Sequence, residues 1–330
     1  MTTKSICVGL IAGAAMASLG SCLPAEARSK FTVIDVPRAS LTVAVSISDG
    51  TITGYSDGSG FVRTPDGTFT EFSAPNAVFG TFPVSINNAA VTGYYVDSSG
   101  VNHGFVRATD GTITEFDASG SGGTSPASIN KRGLITGSYV DGNNSHGFVR
   151  GADGTITTFD PPGSSQTGPS SINSNGVITG SADESGVVPG FVRAADGTIT
   201  TFDVPNSTYT LANSINADGT ITGSYSDGSA LLGFVRAADG TFTTFNAESS
   251  GNNDVFSIDS RGQIAGYYML NNDGVPHGFI RRTGGKILSF DPPRSVYTVP
   301  LSIDSGSDSG AIVGYYIDSS GSYHGFMRSP

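Results

Sequence analysis

The chain has 330 residues, of which 46 are glycine, none is tryptophan and only 14% are charged. Its 19 Phe and 12 Tyr residues recur at regular intervals, which argues against a disordered chain, because disordered sequences are poor in aromatic residues. The formal net charge of −11 repels phosphate backbones, and no basic stripe offsets it, so the composition argues against a nucleic-acid partner.

Residues 1–27 are predicted to form a signal peptide. A positive start precedes an apolar run over residues 6–19 that is short for a membrane span, and Ala-Glu-Ala at 25–27 suits signal peptidase. An alternative is Leu-Gly-Ser-Cys at 19–22, a lipoprotein-like cleavage box with Cys22 as the lipidated residue. We therefore expect a secreted or periplasmic protein, or one anchored through Cys22, with no transmembrane segment in the mature chain.

Both cysteines of the chain, Cys7 and Cys22, fall within this segment. Cleavage after Ala27 would leave no thiol, so neither a disulfide framework nor a cysteine metal site is expected. The same cleavage removes one lysine and one glutamate and leaves the net charge at −11.

Residues 31–36 are the first predicted strand, and a repeat follows them. A typical copy begins with Ser-Ile and continues with an Ile/Val-rich segment, a Gly-Phe-Val-Arg string, Asp-Gly-Thr and a Thr-rich segment that ends in Phe-Asp. The phenylalanines of the Gly-Phe strings are 44, 43, 43, 43, 45 and 47 residues apart. They are Phe61, Phe105, Phe148, Phe191, Phe234, Phe279 and Phe326.

Each copy contains four segments of β-branched and aromatic residues bounded by Gly, Asn, Asp or Ser, which is typical of strands joined by tight turns. Four antiparallel strands, A to D, in about 43 residues match one propeller blade. The sequence thus predicts an all-β, seven-bladed β-propeller over residues 28–330. The predicted blades are 38–75, 76–119, 120–162, 163–205, 206–248, 249–293 and 294–330 with 31–37.

The two ends of the repeat region predict how the ring closes. Residues 31–36 align with a D strand, as at 200–205, whereas the last copy stops after its C strand at Arg328. We expect the N-terminal strand to pair with the C-terminal blade, which ties the two ends together and protects the edges of the sheets.

The strings Ser-Ile-Asn, Ile-Thr-Gly and His-Gly-Phe-Val-Arg resemble the HAF-type extracellular repeat of bacteria, over essentially all of residues 31–330. The triplet that names this family is His-Ala-Phe, but here its second residue is glycine, as in His103-Gly104-Phe105. The resemblance implies an exported β-rich repeat protein and brings no catalytic residues with it.

The four histidines occupy one position of the repeat, at the start of strand C. They would lie on the rim that the B–C and D–A loops share, and a repeated packing role is the simpler interpretation because a metal site needs ligands that converge. The histidines are His103, His146, His277 and His324.

Three further sets of polar residues also recur from blade to blade. The arginine of Gly-Phe-Val-Arg is predicted to pair with a carboxylate or carbonyl, and the aspartate of Phe-Asp is predicted to cap the D–A turn. The aspartates of the B–C loops could bind Ca²⁺, but they fit turn chemistry better, because no loop has the spacing of a calcium loop.

Function is therefore expected where the repeat breaks. Glu184 and Asp273 stand in irregular B–C loops, and Tyr267 lies beside the second of these loops. With the four histidines they form the candidate binding residues on the rim. No catalytic residue, metal site or cofactor is predicted, because no nucleophile elbow, phosphate loop or zinc pattern occurs.

The preferred interpretation is a monomeric, exported, non-enzymatic propeller that binds a glycan or a protein on the rim of B–C and D–A loops. The alternative is a propeller hydrolase or lyase that acts on extracellular polysaccharide, with a site that includes Glu184, Tyr267 or His277 near the central channel.

Overall fold

The computed structural model describes residues 29–119, 122–248, 252–270, 274–307 and 309–330. This part of the chain is all-β and contains no helix, which confirms the all-β part of the predicted fold class. In particular, none of these residues belongs to a helix of the length and apolarity needed to cross a bilayer. The predicted signal peptide and Cys22 lie outside the described residues.

Twenty-eight strands are present in the described ranges, most of them four to seven residues long. They are β1 Lys30–Ile34, β2 Thr42–Ser48, β3 Thr51–Ser56, β4 Ser59–Arg63, β5 Phe69–Phe72, β6 Thr81–Asn87, β7 Ala90–Val96, β8 Asn102–Arg107, β9 Ile113–Phe116, β10 Thr124–Ile129, β11 Ile135–Asp141, β12 Asn144–Arg150, β13 Ile156–Phe159, β14 Gln166–Ile172, β15 Ile178–Asp183, β16 Gly190–Arg193, β17 Ile199–Phe202, β18 Tyr209–Ile215, β19 Ile221–Ser226, β20 Leu231–Arg236, β21 Phe242–Phe245, β22 Asn252–Ile258, β23 Ile264–Met269, β24 Pro276–Arg281, β25 Ile287–Phe290, β26 Ser295–Ile303, β27 Ile312–Asp318 and β28 Tyr323–Ser329.

The strands pair with their sequence neighbours in antiparallel runs of four. Five of these runs are separate four-stranded sheets, and two are joined into one larger sheet by a single parallel pair, Ser145 with Gln166. We number the runs as units: unit 1 is β2–β5, unit 2 is β6–β9, unit 3 is β10–β13, unit 4 is β14–β17, unit 5 is β18–β21, unit 6 is β22–β25, and unit 7 is β26–β28 with β1.

Unit 7 draws its fourth strand from the other end of the chain. Strand β1 runs antiparallel to β28, with Lys30 opposite Ser329 and Ile34 opposite Gly325. Units 7 and 1 also touch along their first strands, where the Ile47 N–H donates to Ser302 Oγ at 3.4 Å and the Asp49 N–H donates to Asp304 Oδ1 at 3.0 Å. The N-terminal strand is therefore held by residues almost 300 positions away.

The hydrophobic core lies between neighbouring units. In one cluster, Ile178 and Phe191 of unit 4 are fully buried and pack against Leu134, Val149 and Phe159 of unit 3. The repeated phenylalanine of Gly-Phe is buried in the same way in every unit. The repeat thus dictates the core, because each copy supplies one face to the preceding unit and one face to the next.

Each unit has a β-bulge in its first strand, immediately before the Ser of Ser-Ile. The skipped residues line a central cavity of about 450 Å³ to which all seven units contribute. They are Val45, Val84, Ala127, Ser170, Asn213, Phe256 and Leu301. The bulges thus aim one side chain per unit at the cavity.

The Ser-Ile pair after the bulge joins each unit to the next. Each serine Oγ accepts a hydrogen bond, 3.2–3.4 Å long, from the backbone N–H of the isoleucine in the following unit. The accepting residues are Ser46, Ser85, Ser128, Ser171, Ser214, Ser257 and, from unit 7 to unit 1, Ser302.

Candidate functional site

The four histidines are placed one to a unit, and each binds groups of its own unit. His103 Nδ1 lies 2.9 Å from Asp117 Oδ1, and its ring stacks on Tyr95 with ring centroids 5.1 Å apart. The other three histidines make the equivalent contacts, in the triplets His146–Asp160–Tyr139, His277–Asp291–Tyr268 and His324–Asp35–Tyr316. Because each imidazole contacts side chains of its own unit, the histidines link neighbouring strands within their units and do not converge on one site.

Two of these histidines have a carboxylate at each ring nitrogen. His103 Nε2 lies 3.4 Å from Asp97, and His324 Nε2 lies 3.5 Å from Asp318. Burial alone would lower the pKa of each imidazole, but hydrogen bonds and charge from the two aspartates outweigh burial and raise it.

We expect the Asp97→Asn substitution to lower the pKa of His103, because one of two facing charges is lost. A ¹H NMR titration of the histidine ring protons measures this change. His324, in unit 7, serves as the internal control, and a shift of equal size at both histidines would contradict the expectation.

The same pairs make the stability of the fold depend on pH in a defined direction. A raised pKa in the folded state means that protonation of His103 stabilises the fold below the ordinary histidine value of 6.5. This contribution is lost as the pH rises through the raised folded value.

The sequence predicted only part of what the repeated arginines contact. Arg107, Arg150 and Arg193 donate to the carbonyl of the next residue, in line with the expected carbonyl partner. The unexpected contact is a cation–π one: each guanidinium lies over a phenylalanine ring, and in six units that ring belongs to the last strand of the preceding unit, as for Arg150 over Phe116 at 4.8 Å.

The caps of the D–A turns also differ from the expectation. The backbone N–H that follows Phe-Asp donates to a threonine six or seven residues ahead, as from Ala118 to Thr124 Oγ1 at 3.0 Å. Asp117, Asp160 and Asp291 bind histidine instead, whereas Asp203 accepts from Thr210 Oγ1 at 3.5 Å. The B–C loop aspartates do serve turns, since Asp97 accepts from the N–H groups of Ser99 and Val101.

The remaining candidates are scattered. Glu184 lies in a tight turn closed by its main-chain hydrogen bonds to Val187. Asp273 lies outside the described residues. Tyr267 is different, because its hydroxyl lies 3.4 Å from the carboxylate of Asp254, a residue that the sequence analysis missed. The neglected signal was an aspartate in a strand position that is uncharged in the other copies.

Tyr267 belongs to a set of four tyrosines, which we call the tyrosine arc: Tyr267, Tyr315, Tyr55 and Tyr94. They occupy one position, after the glycine of the second strand, in units 6, 7, 1 and 2. Units 3, 4 and 5 have Ser138, Ser181 and Ser224 at this position. One side of the molecule therefore carries aromatic rings where the other side carries hydroxymethyl groups.

Further rings connect the tyrosine arc from unit to unit. Tyr55 meets Phe82 of the next unit at 5.4 Å between centroids, and Phe82 meets Tyr94 at 5.2 Å. Tyr315 stacks on both Tyr297 and Tyr323, at 6.2 and 5.8 Å. Burial raises the pKa of the arc hydroxyls at Tyr55, Tyr315 and Tyr267, and the nearby tyrosine or aspartate groups add to the effect.

Exposed apolar side chains flank the same units. Phe79 and Val78 in the D–A loop of unit 2 are 63% and 60% exposed, and Val296 of unit 7 is 51% exposed. The D–A and B–C loops meet here, since the Ser40 N–H donates to Asp57 at 2.8 Å. Large apolar side chains left in water beside partly buried rings are typical of an interaction surface.

The bulge residues repeat this division. Units 6, 7, 1 and 2 have the larger apolar residues Phe256, Leu301, Val45 and Val84, whereas units 3, 4 and 5 have Ala127, Ser170 and Asn213, of which the last two are polar. The cavity and the tyrosine arc are thus apolar on the same side. Within the described ranges, no three His, Cys, Asp or Glu side chains are placed to hold a metal ion.

Neither a protein-family model nor a curated protein matches this chain. Solved structures do. A streptogramin B lyase structure is similar with a TM-score of 0.64 and 14% identity, covering 92% of this chain and 98% of that one. A structure of YCF48 bound to D1 peptide is similar with a TM-score of 0.59 and 11% identity, covering 91% of this chain and 96% of that one. TolB from Acinetobacter baumannii is similar with a TM-score of 0.51 and 12% identity, covering 87% of this chain and 78% of that one.

The fold is that of a β-propeller. At 11–14% identity these similarities establish the fold alone. The neighbours include an enzyme and a structure with a bound peptide, so the function must be argued from the residues of this chain.

Proposed function

We propose that this chain is an exported, seven-bladed β-propeller that binds neutral glycans along the tyrosine arc without turning them over. The observation that carries the proposal is the division of one repeat position into four tyrosines in adjacent units and three serines in the others. Export rests on the leader-like segment over residues 1–27.

The closed ring is supported by the contacts between the ends of the chain. Strand β1 completes unit 7, and the Ser-Ile hydrogen bond that joins successive units also runs from Ser302 to Ile47. This closure makes units 6, 7, 1 and 2 neighbours, so that the tyrosine arc is one continuous surface.

A glycan fits this surface better than an apolar peptide. The arc and the rings that pack on it offer aromatic surface on which a sugar can stack, and their phenol hydroxyl groups can exchange hydrogen bonds with sugar hydroxyls. The net charge of −11 favours a neutral ligand over a polyanion.

Binding without turnover is supported by the state of the ionisable groups. The four histidines are each occupied by an aspartate and a tyrosine of their own unit. They recur in four units, whereas a catalytic site is expected where one blade differs from the rest.

The test is isothermal calorimetry of the purified protein with neutral hexaoses of glucose, mannose, galactose and xylose. The double variant Tyr55→Ser/Tyr315→Ser introduces the residue that units 3, 4 and 5 carry at this position, so we expect it to fold. It should weaken binding about 10- to 100-fold, since each lost stacking contact contributes about 0.5–1.5 kcal/mol.

Tyr209→Ser in unit 5 is the matched control and should leave the affinity unchanged, because this tyrosine lies outside the tyrosine arc. Chromatography of the same mixtures detects turnover. Release of shorter products would overturn binding without turnover in favour of a hydrolase or lyase. Absence of binding to all four hexaoses, or binding only to a protein ligand, would overturn the glycan proposal.

A further inference from the structure

Asp254 occupies a position of the repeat at which the other six units have an uncharged residue. It directly follows Asn253, whose side chain caps the D–A turn of unit 6 as threonine does in other units, and the other six units have Val43, Phe82, Ser125, Gly168, Leu211 and Val299 at the position of Asp254. Since valine fills this position in units 1 and 7, packing does not require a carboxylate in unit 6.

Hydroxyl groups of two units hold the Asp254 carboxylate. Ser224 of unit 5 donates to Oδ1 at 3.1 Å, and Tyr267 of unit 6 donates to Oδ2 at 3.4 Å. Ser224 is itself fixed, because its Oγ accepts the N–H of Val255 at 3.0 Å. A carboxylate has about four lone-pair positions, so these two hydroxyls leave acceptor capacity on both oxygens.

The carboxylate lies where the two sides of the molecule meet. Ser224 is the last serine of the serine side, and Tyr267 is the first ring of the tyrosine arc. Phe256 lies 5.8 Å from the Tyr267 ring, between centroids, and also lines the central cavity. A ring face, a hydroxyl and a carboxylate with free acceptor positions thus adjoin one another.

Holding this carboxylate partly buried is costly for the fold. Burial raises the pKa of Asp254, although the hydrogen bonds from Ser224 and Tyr267 lower it in part. An unfavourable charge that packing does not require is typical of a binding residue, because function and stability often compete at such sites.

We infer that the carboxylate of Asp254, held in place by the buried Ser224 and by Tyr267, forms a polar subsite at one end of the tyrosine arc, which accepts hydrogen bonds from two neighbouring hydroxyl groups of one sugar residue. This inference rests on the proposed glycan binding. The adjacent Tyr267 and Phe256 rings would carry the apolar face of that sugar.

The test compares Asp254→Val, Asp254→Asn and the unaltered protein by calorimetry with the same four hexaoses. Valine occurs naturally at this position in two units, so we expect that variant to fold with an unfolding temperature equal to or above that of the unaltered protein. Its affinity should fall at least tenfold, and Asp254→Asn, which keeps one acceptor oxygen, should lie between. Asp218→Asn, in the turn between the first two strands of unit 5, is the control.

A pH series separates hydrogen bonding from packing. The affinity of the unaltered protein should fall as the pH is lowered from 7 to 4, because the carboxylate takes up a proton, and that of Asp254→Asn should stay flat. Tyr267 does not titrate there, since burial raises its pKa to about 12. Unchanged affinity in Asp254→Val would overturn the subsite alone, whereas absence of hexaose binding by the unaltered protein would overturn both proposals.

Discussion

Deletion of residues 28–37 should abolish cooperative folding of the whole protein. The deletion removes Ile34 and Val36, which are almost fully buried, and Phe31, which packs against Phe290 and Phe326. At about 1.5–3 kcal/mol for each buried side chain, the loss is about 5 kcal/mol or more, which is comparable with the entire stability of a typical domain. Thermal unfolding followed by circular dichroism measures the effect.

Two comparisons show whether the lost strand is the cause. Removal of residues 1–27 should leave the unfolding temperature unchanged, since it spares β1. Residues 29–37 can also be transferred behind Pro330 through a five-residue turn, since Lys30 lies opposite Ser329 and the transferred strand can still pair with β28. This permuted chain should regain a cooperative transition. A deletion variant that unfolds like the full chain would contradict the importance of β1.

Gly180→Ala should destabilise the protein by about 3 kcal/mol. Gly180 lies in β15 opposite the bulged strand of unit 4, and a Cβ there would overlap the carbonyl oxygen of Gly168 and lie 2.7 Å from Pro169 Cα. Because these are backbone atoms, the clash is relieved only by displacement of the innermost strand. Urea unfolding monitored by circular dichroism measures the change in the free energy of unfolding.

Gly168→Ala is the matched control within the same pair of strands. Its nearest neighbour would be the Ser181 carbonyl oxygen at 3.6 Å, an ordinary contact, so we expect a change of less than about 0.5 kcal/mol. Equal destabilisation by the two substitutions would show that glycine at position 180 does not serve the close approach of the strands.

Periodicity made the strands and the core predictable. Phe61 and its six counterparts stood out in the sequence because the Gly-Phe string recurs in every copy. All seven are buried in the structure, since a repeat places equivalent residues against the neighbouring unit. The roles of the repeated polar residues were harder to predict. Asp117 binds His103, for example, because Thr124 already accepts the turn N–H of Ala118, and spacing alone does not decide between two such acceptors.

The candidate site was only half predictable. Tyr267 was identified because it adjoins an irregular loop, but its partner Asp254 lies in a regular strand. Its importance depends on Ser224, a residue of the preceding unit, and contacts between units are not local in the sequence. Comparison of the seven copies position by position contains the signal, because one column holds four tyrosines and three serines.

The pairing of Ile34 with Gly325 also constrains the order of folding. Strand β1 is synthesised before the other described strands, yet its partner β28 is synthesised after all of them. Contacts of such long sequence separation form late, because the entropy of closing the loop must be overcome first. The apolar side chains of β1 therefore stay without their native partners until β28 has left the ribosome, and the propeller cannot acquire its final fold before then.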